Sequence, residues 1–372
     1  VKRPVLGWAL SVALFAQPVS AQYSVGSGLD YMGYSFEEGL GADAAQLLMV
    51  PLAIRLPLFT GFSVDIFSAW AQGRVEQNNV QLKLSGPVDT NVKVSYRATP
   101  WALLSVGANI PTGNATHDTE EAVVASVLSA DLYGFREATW GTGFALTSSV
   151  ATAASAGGFG LGIAGAYAMR GEFEPASGDD LKYKPGSEAR VRVGVDRNFG
   201  SSTLTVGTTF INYSADEAGA NLFQAGNRFR FDASYAFRAG DGVWTIYAAD
   251  VLRENGDVRV RDALGAVQGD SIFTTAKQNM MVGGLIGTVG LGGGFFFRPH
   301  LDFKYQLREE ADGGDAGTGW VLAVGGDLPV RVMGGTEFFP KARVLFGSIR
   351  DPMGEAVSVL GMEFRGTLRL TF

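Results

Sequence analysis

The last nine residues, Phe364 to Phe372, alternate without interruption. Phe364, Leu368, Leu370 and Phe372 fall on one side, and Arg365, Thr367, Arg369 and Thr371 on the other. A period of two is the mark of a strand with one apolar and one wetted face. The same period returns along the chain. Val92, Val94 and Tyr96 oppose Lys93, Ser95 and Arg97, and Val191, Val193 and Val195 oppose Arg190, Arg192 and Asp196. Between Arg228 and Arg238, Phe229, Phe231, Tyr235 and Phe237 oppose Arg230, Asp232 and Ser234. Between Phe297 and Arg308, Leu301, Phe303 and Tyr305 oppose His300, Asp302 and Lys304. A soluble sandwich also alternates, with its apolar face inward. These segments, however, exceed the ~5–6 residues of ordinary strands and approach the ~9–11 that cross a bilayer at a tilt.

The connections point the same way. Short turns at Asn198–Ser201, Arg238–Asp241 and Met333–Thr336 trade places with longer, acidic stretches. Those stretches are Asp118–Arg136, Gly171–Lys184, Ala215–Asn221, Glu254–Asp270 and Arg308–Thr318. Tight turns at one end and long loops at the other are the pattern of a transmembrane β-barrel. The reading is therefore all-β: a single antiparallel transmembrane β-barrel of about 16 strands with both termini periplasmic. Fourteen or twelve strands are the alternatives, if the first segments plug the lumen or some pairs merge. Two uncharged stretches, Ala138–Met169 and Gln278–Phe297, are too rich in glycine for spanning helices and read as strand–turn–strand, the first opening with a strand near 137–149. Tyr23, Tyr34, Phe36, Phe59, Trp70, Trp101, Trp140, Trp244, Trp320 and Phe372 stand at or near predicted strand ends, where interfacial aromatics belong.

The other end of the sequence carries Lys2 and Arg3, an apolar run from Val5 to Ala16, and the small residues Val19-Ser20-Ala21. This predicts a secretory signal peptide over residues 1–21, cut after Ala21, and a barrel over residues 22–372. With the aromatic-terminated last strand, the chain resembles bacterial outer-membrane β-barrel proteins of the porin and transporter type. The resemblance implies a bacterial outer-membrane location, with membrane lipids and lipopolysaccharide as neighbours. It also implies that the barrel-assembly machinery reads Phe364, Leu368, Leu370 and Phe372. Residues 82–113, with Gly86-Pro-Val-Asp89 at a turn and Pro111-Thr-Gly113 at a strand exit, resemble the strand-turn-strand core of the meta-pathway phenol-degradation transporters. That likeness implies passage of small solutes, hydrophobic or aromatic compounds among them.

Charge and composition narrow the chemistry. Removing residues 1–21 takes away two cations and no acid, so the net charge moves from −7 to −9. Nucleic-acid binding asks for a basic face and is not expected. There is no cysteine, hence no disulfide frame or thiolate chemistry. Two distant histidines make no metal site, and no cofactor fingerprint is present. His117 reads as a solvated loop residue beside Asp118, and His300 as an interior strand residue. No Gly-x-Ser-x-Gly motif accompanies either, so an enzyme such as an outer-membrane hydrolase is the less favoured reading. The predicted lumen-lining set is Lys93, Arg97, Arg190, Arg192, Arg228, Arg230, Arg238, Arg298, His300, Lys304, Lys341, Arg343, Arg365 and Arg369. Asp196, Asp232, Asp302 and Glu363 stand among them. Two readings stay open: an anion-tolerant passage, or ion pairs that merely keep a small interior wet. Accordingly the expected function is a non-enzymatic channel or transporter for small solutes, with a structural or surface-recognition barrel of blocked lumen as the alternative.

Overall fold

The computed structural model describes residues 22–37, 41–136, 140–178, 181–261, 267, 273–308, 319–350 and 355–372. The predicted signal peptide lies outside them, as does nearly all of the loop expected at Arg308–Thr318. The wall runs β1 (Ser24–Phe36), β2 (Ala44–Phe59), β3 (Phe62–Gln77) and β4, which is interrupted into Val80–Pro87 and Thr90–Thr99. It continues through β5 (Ala102–Ile110), β6 (Ala145–Ala156), β7 (Phe159–Arg170), β8 (Glu188–Phe199) and β9 (Ser202–Tyr213). Then follow β10 (Arg228–Ala239), β11 (Gly242–Arg253), β12 (Gln278–Gly292) and β13 (Phe295–Arg308). The last three are β14 (Gly319–Asp327, prolonged by Val330–Met333), β15 (Thr336–Arg350) and β16 (Ala356–Thr371). Each pairs antiparallel with its sequence neighbours, and β1 pairs with β16 from Ser24↔Thr371 to Phe36↔Val359. The sheet thus closes as a 16-strand barrel with no free edge.

Alternation decides what faces where. Along β16, Met362 is 59 % exposed, Glu363 4 % and Phe364 46 %, so odd positions turn inward and even ones outward. The outward wall carries Val191, Val193, Phe231, Leu301, Phe303, Val344 and Leu360, all exposed. A closed barrel with such an exterior belongs in a bilayer, because only a closed sheet satisfies every backbone group there. Among the described residues no helix is long and apolar enough to cross a membrane. Asp250 departs from the pattern, since it pairs with Phe231 and Met281 on the outward wall.

Among the described residues every tight turn but one lies at a single end of the barrel. The exception is Asn78-Asn79, with φ of 51° and 62°, the left-handed pair that a two-residue hairpin needs. The long connections rise from that same end. Short strands at Tyr183–Lys184, Asp216–Ala218, Asn221–Gln224, Asp257–Val260 and Phe273–Thr274 join there into a second sheet beyond the membrane wall.

Several expectations need correction. Among the described residues no early segment plugs the lumen. Instead the connection between β5 and β6 folds inward. It contains helix α1 (Thr119–Leu128), where an acidic outer loop was expected, and it buries His117 instead of solvating it. It also displaces the strand expected at 137–149 to Ala145–Ala156, whose Ala, Ser and Thr residues alternate too weakly to mark the boundary. Trp140 and Tyr34, expected in the interfacial belts, are fully buried within. Tyr23, Phe59, Trp70, Trp101 and Phe372 stand exposed near strand ends.

Candidate functional site

The inward-folded connection is the centre of the interior. Its helix starts with a reciprocal cap: Glu121 N donates to Asp118 Oδ1 (2.8 Å), and Asp118 N donates to Glu121 Oε2 (3.2 Å). Such a box satisfies two of the orphan amides at a helix start. Val124, Ala125 and Leu128 then pack with Trp140 on Leu47, Met49, Ala71, Val75 and Leu84 of the β2–β4 wall. Trp140 is 0 % exposed, and its Nε1 donates to Ala71 O at 2.9 Å. Past the helix, Leu132 crosses to the other wall and packs on Val321, Ala323 and Leu345. Tyr34 donates to Tyr133 O (2.8 Å), and Lys304 Nζ donates to Asp131 O (3.4 Å). Burial pushes the Tyr133 phenol up to about 12.

Both ends of this connection are fastened to one side chain. Asp89, 7 % exposed in the break of β4, accepts from Gly113 N (3.0 Å), Asn109 Nδ2 (2.7 Å) and Thr142 N (2.8 Å). Its own N–H donates to Trp140 O (2.9 Å). A Cβ at Gly113 would stand 1.9 Å from Trp140 O, so only glycine fits. The stretch around Gly86-Pro-Val-Asp89 and Pro111-Thr-Gly113 is therefore the clasp of the inward segment.

Beneath the segment lies a charged cluster. Glu363 accepts from Lys341 (3.0 Å), Arg343 Nε (2.6 Å) and Arg365 Nη2 (3.3 Å). Arg343 also reaches Asp302, which accepts from Tyr247 as well. Asp30 is paired with Arg365 (3.1 Å) and with Arg136 of the inward segment (2.9 Å). Burial lowers the Arg136 pKa from its ordinary value, Arg365 lowers it further, and Asp30 opposes both. Nearby, Asp327 takes Arg298 Nε (2.5 Å) on one oxygen and His300 Nε2 (2.8 Å) on the other. Among the described residues no hydroxyl side chain hydrogen-bonds to either histidine. His117 lies 3.7 Å from Glu121 and is clamped to the next connection through Pro175 O (3.0 Å).

The opposite wall is arranged differently. Pairing aligns Arg190, Ile211, Arg228, Arg253, Gln278 and Arg308 in one inward row across β8–β13. The adjacent row holds Arg192 and Arg230, both on Asp232 at 2.7 and 3.5 Å. Arg190 pairs with Glu188 (2.5 Å), and Arg228 lies 5.8 Å from the Tyr213 ring centroid. Among the described residues no carboxylate stands within 4 Å of Arg228 or Arg253. Asp131, on the inward segment, is an electrostatic neighbour of both Arg253 and Lys304. Of the remaining predicted cations, Lys93 is opposite Asp65 on β3, Arg97 is opposite Leu103, Arg238 is opposite Val243 and Arg369 is opposite Glu337. Phe364, Leu368 and Phe372 are exposed on the outward face, with Leu370 half-buried beside them. Sequence reasoning missed Asp89, Arg136 and Arg253. Asp89 had a signal, an acid within a Gly-Pro turn, but its partners are distant in sequence.

No family model matches the chain, and no curated protein does either. Solved structures do. An outer-membrane protein of Vibrio cholerae, OmpT with its loop L8 deleted, aligns with TM-score 0.44 and 11 % identity over 95 % of this chain and 100 % of its own. A mutant of the Rh. blastica porin aligns with TM-score 0.37 and 13 % identity over 94 % and 100 %. A bacterial polysaccharide outer membrane secretin aligns with TM-score 0.45 and 10 % identity over 93 % and 98 %. At these values the likeness assigns no role to any residue.

Proposed function

We propose that this outer-membrane-type barrel is a passive, non-enzymatic channel for small solutes, and that it favours anions. The observation that carries the reading is an asymmetry of the interior. The inward segment fills the side of β1–β4 and β13–β16, where cations and acids neutralise one another. The arc of β8–β13 instead presents Arg228 and Arg253 side by side, with no carboxylate within 4 Å among the described residues. A passage between segment and arc runs past Arg228 and Arg253, which have no ion-paired carboxylate among the described residues and only the more distant charge of Asp131 acting on Arg253, and charged rings of this kind set the sign of the permeant ion. The two glutamate substitutions Arg228→Glu and Arg253→Glu reverse that wall without touching the clasp.

Planar-bilayer recording tests this. Discrete current steps are expected, with a reversal potential in a potassium chloride gradient displaced towards chloride. The double glutamate variant should move it towards potassium. A folded barrel that passes no current would point to the occluded, structural reading. Unchanged selectivity in the variant would remove the arginine arc from the account. No family model supports the likeness of residues 82–113 to phenol-degradation transporters, so aromatic solutes form no part of this reading.

A further inference from the structure

The outward wall changes character near the long-connection end of β3. At its short-turn end, Phe62 stacks on Phe59 (4.7 Å between centroids) and neighbours Tyr96 (6.4 Å), forming one aromatic belt. Trp70, exposed on the same face, follows higher up. At ~3.3 Å per residue and a tilt of ~40°, the stretch from Phe62 to Arg74 rises about 30 Å along the membrane normal, past the ~25 Å apolar band. Arg74 therefore stands at headgroup level.

Its outward direction is fixed by its neighbours. A Cβ at Gly73 would meet Leu128, Val124 and Trp140 at 2.6–2.9 Å, so position 73 faces the inward segment and 74 faces away. Leu82 and Leu84 belong to that same core, which turns Lys83 outward. Pairing then aligns Gln46, Arg74 and Lys83 in one outward row, above a row of Tyr31, Leu48 and Gln72. Directly opposed like charges destabilise a sheet unless something lies between them. Arg74 Nη2 donates to Gln72 Oε1 (3.3 Å), while Glu76, the acid on this face, accepts from Gln81 (3.3 Å). Among the described residues no carboxylate lies within 4 Å of Arg74 or Lys83. A shallow cavity of about 100 Å³ opens among Tyr31, Gln46, Leu48, Gln72 and Arg74.

We propose that Arg74 and Lys83, with Gln46 and Gln72, bind the phosphate of a membrane lipid headgroup. For the outer leaflet this means a phosphorylated glycolipid. Two cations and two amides match a phosphate's acceptors, and Leu48 and Trp70 below them offer apolar surface to the acyl chains. The proposal rests on the outer-membrane placement and not on conduction.

Native mass spectrometry of the folded, detergent-solubilised protein titrated with diphosphorylated lipid A is the test. The double variant Arg74→Gln/Lys83→Gln should bind about thirtyfold more weakly, the combined worth of two surface cations. Its heat-modifiable migration and its single-channel current should stay as in the parent, so failure here is distinct from failure of the channel reading. Equal binding by parent and variant would overturn the site. So would retention that is indifferent to removal of the lipid phosphates. Displacement by millimolar inorganic phosphate would assign the residues to a free anion. Loss of an oligomer, with lipid binding unchanged, would assign them to a subunit contact.

Discussion

At the scale of single residues, Asp89 has the widest reach. One carboxylate holds Gly113, Asn109 and Thr142, so it closes the loop of the inward segment at its base. Each buried donor left without an acceptor costs about 1–3 kcal/mol. Asp89→Ala should therefore unlatch the segment while leaving the strand ladder intact. The check is limited proteolysis of the folded barrel, where cleavage within residues 113–142 is expected in the variant and not in the parent. Gly113→Ala should behave alike, through its clash with Trp140 O. Equal resistance in all three proteins would dissociate the clasp from Asp89. None of this was legible beforehand. A Gly-Pro-Val-Asp turn announces a bend, but which donors its acid will meet depends on chain returning from 20 to 53 residues away.

At the scale of elements, legibility followed the strength of the alternation. β8, β10, β13 and β16 alternate large apolar with charged residues, and their registers were readable. β6 reads Ala-Leu-Thr-Ser-Ser-Val-Ala-Thr-Ala-Ala-Ser-Ala, where neither face is distinct, and its start was misplaced. The capping box at Asp118 and Glu121 marks α1, yet an acidic stretch reads equally well as a loop. Trp140 was misassigned for a related reason, since tryptophan suits a membrane interface and a buried core alike. Its burial makes a second prediction. Trp140→Ala should weaken the docking of the segment by about 3–5 kcal/mol, the usual cost of emptying an aromatic site in a core. Larger and noisier current steps than those of the parent are expected. Steps of unchanged size would mean that the segment does not depend on this anchor.

At the scale of the whole molecule, closure between β1 and β16 makes the last strand a structural necessity. Phe364, Leu368 and Phe372 lie on its outward face, where an assembly factor can reach them before insertion. Removing Phe372 should lower the fraction of protein that reaches the membrane as a heat-modifiable barrel, without altering current steps in the fraction that does. Undiminished insertion would take the terminal aromatic out of the assembly signal. The sequence by itself determined the strand period, the inside and outside of the strongly alternating strands β8, β10, β13 and β16, and the positions of the short turns at Asn198–Ser201, Arg238–Asp241 and Met333–Thr336. Those follow from local physics, because adjacent side chains on a strand point opposite ways and membrane and water sort them at once. Only the tertiary structure decided that the β5–β6 connection folds inward, that Asp89 clasps it, and that Arg228 and Arg253 stand side by side on the inward wall. These depend on contacts between residues far apart in the chain, formed when the sheet closes and encloses a volume that something must fill.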